Sequence, residues 1–289
     1  MSEPVTVLIP LYRSGRFLPI LSETIRTHLE TGIPVTVSDR NGDAALIGTL
    51  RDQFAGASGF SSFVCDDDDH WVANMNSLIA ATQTPYFRIL PHDDSASPES
   101  TLRMCRALEA DPDAVLAFGP VRAWSLDGVR MPDRDQSNAD MADGHRHWRR
   151  DTALALFWSG RCAGAFKGVV RRIPKGLDSP LMIRPTPSLA HSERIWLSAL
   201  GLLGHFRLEP DAVLHKRYYD ESTHRRWKFN AAEYADAASV LLDYVAALIE
   251  PGEDRQRAER AIRNTAVAYD AWFRDGDRGP VPGFNPLRP

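Results

Sequence analysis

Cysteine is scarce in this chain: Cys65, Cys105 and Cys162, odd in number and far apart among 289 residues. That leaves no disulfide framework and no spaced ligand set for zinc, and it fits reduced, buried thiols. Long apolar runs are lacking too. Every run is far below the roughly 18 residues that cross a bilayer, so no segment reads as transmembrane. The opening MSEPVTVLIP has no basic stretch ahead of its apolar residues and reads as a strand rather than a secretory leader, which points to a cytoplasmic protein. An excess of basic charge is absent: 34 Lys and Arg stand against 38 Asp and Glu, net −4, which argues against a nucleic-acid partner. No internal repeat or low-complexity segment occurs.

What is present is an ordinary globular composition, 43% hydrophobic and 25% charged, in a chain long enough for a large core. Apolar runs at 5–9, 35–37, 61–65 and 86–90 read as strands. Helical spacing at 17–30, 43–54 and 74–82 fills the gaps between them. Four strands alternating with helices predict an α/β fold with a mostly parallel, doubly wound sheet. Further on, helices are expected at 98–110, 151–159 and 192–203, the last closed by Gly204. Strands are expected at 115–118 and 168–171, and 122–144 reads as a long polar loop. The tail, 231–249 and 255–273, reads as two amphipathic helices parted by Pro251 and Gly252.

The most informative stretch is Tyr86-Phe-Arg-Ile-Leu-Pro-His-Asp-Asp94, a buried strand that ends in two carboxylates. Ligands of open α/β sheets bind at such strand ends. Paired hard oxygens there can hold a divalent cation, and the cation can hold phosphates. Asp-Asp is also common in turns, so its neighbours decide the reading. Upstream lie Ile9-Pro-Leu-Tyr12, Val37-Ser-Asp-Arg-Asn-Gly-Asp43, and Trp71-Val-Ala-Asn-Met-Asn76. Downstream lie Ser192-Glu-Arg-Ile-Trp196, Gly204-His-Phe206, and Lys216-Arg217 with Ser222.

In that order and spacing, over about residues 5–227, the chain resembles a family 2 glycosyltransferase of the GT-A fold, an inverting enzyme. The resemblance implies a catalytic domain over 1–228, with a nucleotide-sugar half (1–120) and an acceptor-side half (121–228). Residues 229–289 would form a C-terminal helical extension. It implies a donor site built from Pro10, Tyr12, Asp39, Asp43, Asn76, His92, Asp94 and Arg217. Tyr12 would stack on the base, Asp39 and Asp43 would hold the nucleoside, and Arg217 would pair with the diphosphate. Asp93 and Asp94 would carry Mn or Mg, the Lewis acid for the leaving pyrophosphate. Glu193 would be the general base. Three positions depart from the family pattern: Ser38, Pro91 and Tyr219 stand where acidic, acidic and His residues are usual. The resemblance implies a nucleotide-sugar donor, with UDP-sugar favoured and GDP- or TDP-sugar open, and a glycan, lipid-linked or small-molecule acceptor.

Two other classes stay open. The three departures allow a member that binds nucleotide or glycan without turnover. A sugar-1-phosphate nucleotidyltransferase would need a Gly-rich basic loop after the first strand, where LYRSGRFLP holds only Gly15. The acidic run Asp66 to Asp69 reads as a solvated loop, and His145, His147 and Trp148 as an acceptor-side loop. Basic, aromatic-bearing segments in the second half leave peripheral contact with the inner membrane face open, and the tail helices leave a homodimer open.

Overall fold

The computed structural model describes residues 3–40, 44–65, 70–137, 163–220 and 231–274. β1 (Val5–Leu11) is a run of apolar β-formers that pairs in parallel with β2 (Val35–Asp39) on one side and β4 (Tyr86–Ile89) on the other. β3 (Phe60–Val64) extends the sheet beyond β2. The crossovers run through α1 (Leu18–Glu30), α2 (Ala44–Gln53) and α3 (Trp71–Ala81). A parallel pair requires such crossovers, because its strands point the same way.

Beyond β4 the sheet continues through β8 (Val169–Arg171), β6 (Ala114–Phe118) and β9 (His205–Leu208), in the order β3-β2-β1-β4-β8-β6-β9. β8 runs antiparallel to both of its neighbours. A second, three-stranded sheet has β10 (Leu214–Tyr218) between β5 (Ser95–Ala96) and β7 (Val121–Ser125).

Alternation along the strands divides the core. Val5, Val7 and Ile9 of β1 pack with α1, α2 and α4 (Pro98–Glu109), whereas Leu8 faces α3, the short α5 (Ala163–Phe166) and α6 (Ser192–Leu203). The tail helices, α7 (Ala231–Leu248) and α8 (Glu253–Arg274), form a third cluster against Ile195 and Ala199 of α6. No helix among the described residues is long and apolar enough to cross a membrane.

The α/β expectation holds, and α6 spans the expected residues. Three details differ. First, 121–125 is a strand rather than loop, because its pairing with β10 supplies backbone partners that a polar sequence does not advertise. Second, α3 starts at Trp71, since the His70 side chain accepts from the Ala73 N–H (3.1 Å) and caps an earlier turn. Third, Gly204 ends α6 in extended backbone, φ −173°. Its missing side chain matters because a Cβ would lie 2.4 Å from the Asp113 carbonyl oxygen. The helix expected at 151–159 lies outside the described residues. Cys65 and Cys105 are buried free thiols.

Candidate active site

The carboxyl ends of β1, β2, β4 and β10 converge. Parallel register sets Leu11 beside Asp39, so Tyr12 and Asp39 leave neighbouring strands at one level. Tyr12 is 39% exposed and lies under the guanidinium groups of Arg13 (5.2 Å) and Arg40 (4.9 Å). Asp39 is buried. Arg13 has φ 53°, a left-handed conformation that an arginine adopts only under local constraint. The Tyr12 N–H donates to Ser14 Oγ at 2.9 Å and tightens the same turn.

The Pro91–Asp94 segment turns sharply, with the Asp94 N–H donating to the Pro91 carbonyl at 3.0 Å. His92 Nδ1 lies 3.3 Å from the Pro10 carbonyl oxygen, and its ring packs on Phe17 at 5.1 Å, which ties the β4 end to the β1 end. β10 arrives alongside. His215 pairs with Ser95, and the Arg217 N–H then donates to Asp94 Oδ1 at 3.0 Å, so a side chain continues the ladder. The Arg217 guanidinium donates to the Asp93 carbonyl at 3.1 Å. The Tyr219 hydroxyl donates to Asp93 Oδ2 at 2.8 Å, and Arg16 lies 4.7 Å over the Tyr219 ring.

Lys167 completes the centre. β8 pairs antiparallel with β4, Val169 opposite Arg88, and carrying that register onward sets Lys167 across from Leu90. Its Nζ lies 3.3 Å from Asp94 Oδ2, with both side chains almost wholly buried (7% and 1% exposed). Gly168 holds this approach close, since a Cβ there would lie 2.3 Å from the Ala117 carbonyl oxygen. Burial opposes the Lys167 charge, but Asp94, Glu193 and Asp93 prevail and hold it protonated, above the ordinary lysine range. Lys216 lies beside Lys167, and burial first, then the charge of that neighbour, pushes it down. For Asp93, burial would raise the carboxyl, but His92, Lys216, the Tyr219 hydroxyl and Lys167 hold it below the usual range.

The fold therefore gathers Tyr12 and Asp39 at one end, and Pro10, His92, Asp93, Asp94 and Arg217 at the other. Glu193, in the first turn of α6, joins the second group through its charge on Lys167. Asn76 has another engagement: its amide donates to the Ile183 carbonyl and accepts from the Ile183 N–H, both at 2.8 Å, which ties α3 to 181–183. Asn74, two residues earlier and on another face of α3, reaches β2 instead by accepting from the Ser38 hydroxyl. Ser38 therefore turns toward α3. Asp43, Asp66 to Asp69, His145, His147, Trp148 and Ser222 lie outside the described residues.

Lys167 escaped the sequence reading because a lone lysine before a glycine carries no local signal. Only the antiparallel pairing of β8 brings it to Asp94. Lys216 was legible as part of the basic segment, but not as a neighbour of Lys167.

The expected divalent cation does not fit this donor set. Asp94 Oδ1 accepts from the Arg217 N–H and Asp93 Oδ2 from the Tyr219 hydroxyl, while Asp94 Oδ2 accepts no hydrogen bond among the described residues but is ion-paired with the Lys167 ammonium 3.3 Å away. Magnesium and manganese are held by one or two carboxylates, with waters and substrate phosphates filling the shell, and here Pro91 supplies no carboxylate while the Lys167 ammonium stands against Asp94. Among the described residues no group of three or more His, Cys, Asp or Glu could hold a metal ion.

The architecture is that of the GT-A fold, a mixed α/β fold with a mostly parallel central sheet. No protein-family model matches the chain, and no curated protein matches it. Solved structures do. S. aureus TarS 1-349 aligns with TM-score 0.62 at 9% identity, covering 93% of this chain and 72% of that one. The same protein in complex with UDP-GlcNAc aligns at 0.63, also at 9% identity, over 93% and 73%. Its complex with UDP aligns at 0.59 and 10% identity, over 96% and 76%. The mannosyltransferase PcManGT from Pyrobaculum calidifontis, in complex with GDP-Man and Mn2+, aligns at only 0.46, with 14% identity over 97% and 78%, too loosely to carry an argument.

Proposed function

We propose that the chain is an inverting glycosyltransferase that moves a hexosyl group from a nucleotide-sugar to a hydroxyl of a glycan or lipid-linked acceptor. One observation carries this. On a GT-A fold, an aromatic and a buried carboxylate (Tyr12, Asp39) stand beside a strand-end centre where Asp93, Asp94 and Arg217 meet and where Glu193 acts through its charge on Lys167. The likeness to TarS, whose structures hold UDP-GlcNAc and UDP, supports a nucleoside-diphosphate donor and favours UDP.

Tyr12 presents a partly exposed ring for the base, and Asp39 accepts from base or ribose. Arg217 matches the geometry of the diphosphate. The Glu193 carboxylate takes the acceptor's hydroxyl proton as that oxygen attacks the anomeric carbon. The bond from that carbon to the diphosphate oxygen breaks, and the nucleoside diphosphate departs with the electron pair. Residues 1–228 form the catalytic unit in this reading, and the α7–α8 pair buttresses α6, which carries Glu193.

Thermal-shift measurements with UDP, GDP and TDP test the donor site. A rise in Tm with at least one is expected, because a ligand of the native state stabilises it. No rise with any of them sinks the proposal. A second reading, donor binding without turnover, is favoured by the engagement of both strand-end aspartates. Release of free UDP from a UDP-sugar decides between the two.

A further inference from the structure

We infer that Lys167 and Lys216, with Arg217, take the place of a divalent cation, so that the donor diphosphate binds this chain without metal. The inference rests on the donor-site reading above and names what neutralises the diphosphate there.

A strand-end aspartate that awaits a metal keeps its oxygens open. Here Asp94 Oδ1 accepts from the backbone of β10, and a buried ammonium stands 3.3 Å from Asp94 Oδ2, which accepts no hydrogen bond among the described residues. A dication at Asp94 would have to displace Lys167 and leave that ammonium buried without a partner, which is strongly unfavourable. It would also enter beside a second ammonium, because Lys216, next to Arg217 on β10, is a charged neighbour of Lys167. Two neighbouring ammonium groups repel a cation and are relieved by an anion.

The surroundings agree. Four cationic side chains, Lys167, Lys216, Arg217 and Arg16, gather about three acidic ones, Asp93, Asp94 and Glu193. Lys216 and Arg217 are only partly buried, so they stand where a ligand can meet them, whereas Lys167 is buried. Lys167 thus fixes Asp94 and supplies the central charge. Lys216 and Arg217 meet the phosphate oxygens. Pro91, in the place of a second acid, fits this arrangement, because a centre that already holds ammonium groups has no use for another metal ligand.

The test is calorimetric titration of the full chain with UDP and with GDP, in excess EDTA and again in manganese. The nucleotide that binds is expected to show the same Kd in both buffers within about twofold, well under the 1.4 kcal/mol of a tenfold change. Lys216→Ala, at a partly exposed position, is expected to weaken binding about tenfold or more in EDTA, the scale of one lost charged hydrogen bond. Lys216→Arg is expected to recover part of it. Binding in manganese that disappears in EDTA overturns the inference and leaves the donor-site reading intact. An unchanged Kd for Lys216→Ala in EDTA also overturns it. Absence of binding in both buffers sinks the donor-site reading and this one with it. A folded Lys167→Gln variant, its Asp94 released, is expected to become manganese-dependent, and metal-independent binding by it counts against the role of Lys167.

Discussion

Two buried cations, one within β4 and one beside its end, are held in opposite ways. Arg88, in the middle of β4, donates to neutral oxygens only: the Lys167 carbonyl (3.0 Å), Ser100 Oγ (3.2 Å) and Thr101 Oγ1 (2.8 Å). Burial lowers its pKa to about 10. Lys167, at the strand end, is paired with carboxylates and held charged. Arg88 is a tie, joining β4, α4 and the approach to β8 through groups buried inside the fold. Lys167 belongs to a cluster with charges of both signs, the kind of cluster that gathers at functional sites. Burial of a charge therefore says little by itself, and the partners tell the two apart.

Changes at the two places sharpen that contrast. The largest effect is expected for Glu193→Gln: transfer falls by roughly 10²–10⁴-fold, the usual contribution of a general base, while Tm and nucleotide affinity hold. Retained transfer would remove Glu193 as base. Next comes Asp94→Ala, which strands Lys167. Chemical denaturation should register a loss of about 3–5 kcal/mol, and a loss under about 1 kcal/mol would mean that the pair is not buried in solution.

Acid acts on the Arg88 side. His28 touches Thr101 (3.3 Å), and burial first, then Arg88, lowers its pKa from 6.5 to about 4. The unfolded chain binds the proton more readily, so the stability owed to neutral His28 is complete above pH 6.5. It drains away as pH falls toward 4, by roughly 3 kcal/mol. His191, lowered to about 3 by burial, adds in the same direction. A His28→Gln variant should flatten this slope in urea titrations run at several pH values, and an unchanged slope would refute the assignment.

Arg88→Met should cost about 2 kcal/mol through acceptors left unsatisfied, yet leave the nucleotide Kd of the folded protein unchanged. A shifted Kd would blur the distinction between the two cations. Smallest is Tyr12→Ala, with Tm unchanged and nucleotide affinity down by about 1 kcal/mol from lost stacking. Calorimetry would read that directly, and an unaltered Kd would free Tyr12 from any contact with the base.

Legibility followed locality. The apolar runs of β1, β2 and β4 announce themselves, as do α1, α4 and α6, because hydrophobic spacing is a property of consecutive residues. Gly204 was legible as the end of α6, though its reason, contact with Asp113, is not local. β7 and β10 were not legible: Val-Arg-Ala-Trp-Ser and Leu-His-Lys-Arg-Tyr are half polar, and only mutual pairing makes them strands. Within the site, Asp93, Asp94, Asp39 and Glu193 stood out as acids at element ends. Asn76 stood out too, but its amide is spent on Ile183, whereas Asn74 makes the link to β2.

The sequence alone determined the α/β alternation, the strand ends and the carboxylates on them, since each depends on residues close in the chain. Tertiary structure alone decided what those carboxylates meet. Lys167, Arg217 and Tyr219 reach Asp93 and Asp94 from 73 to 126 positions away, across an antiparallel insertion and a second sheet, as the register and contacts record. No local pattern encodes a pairing over such distances, because it depends on how separate elements pack.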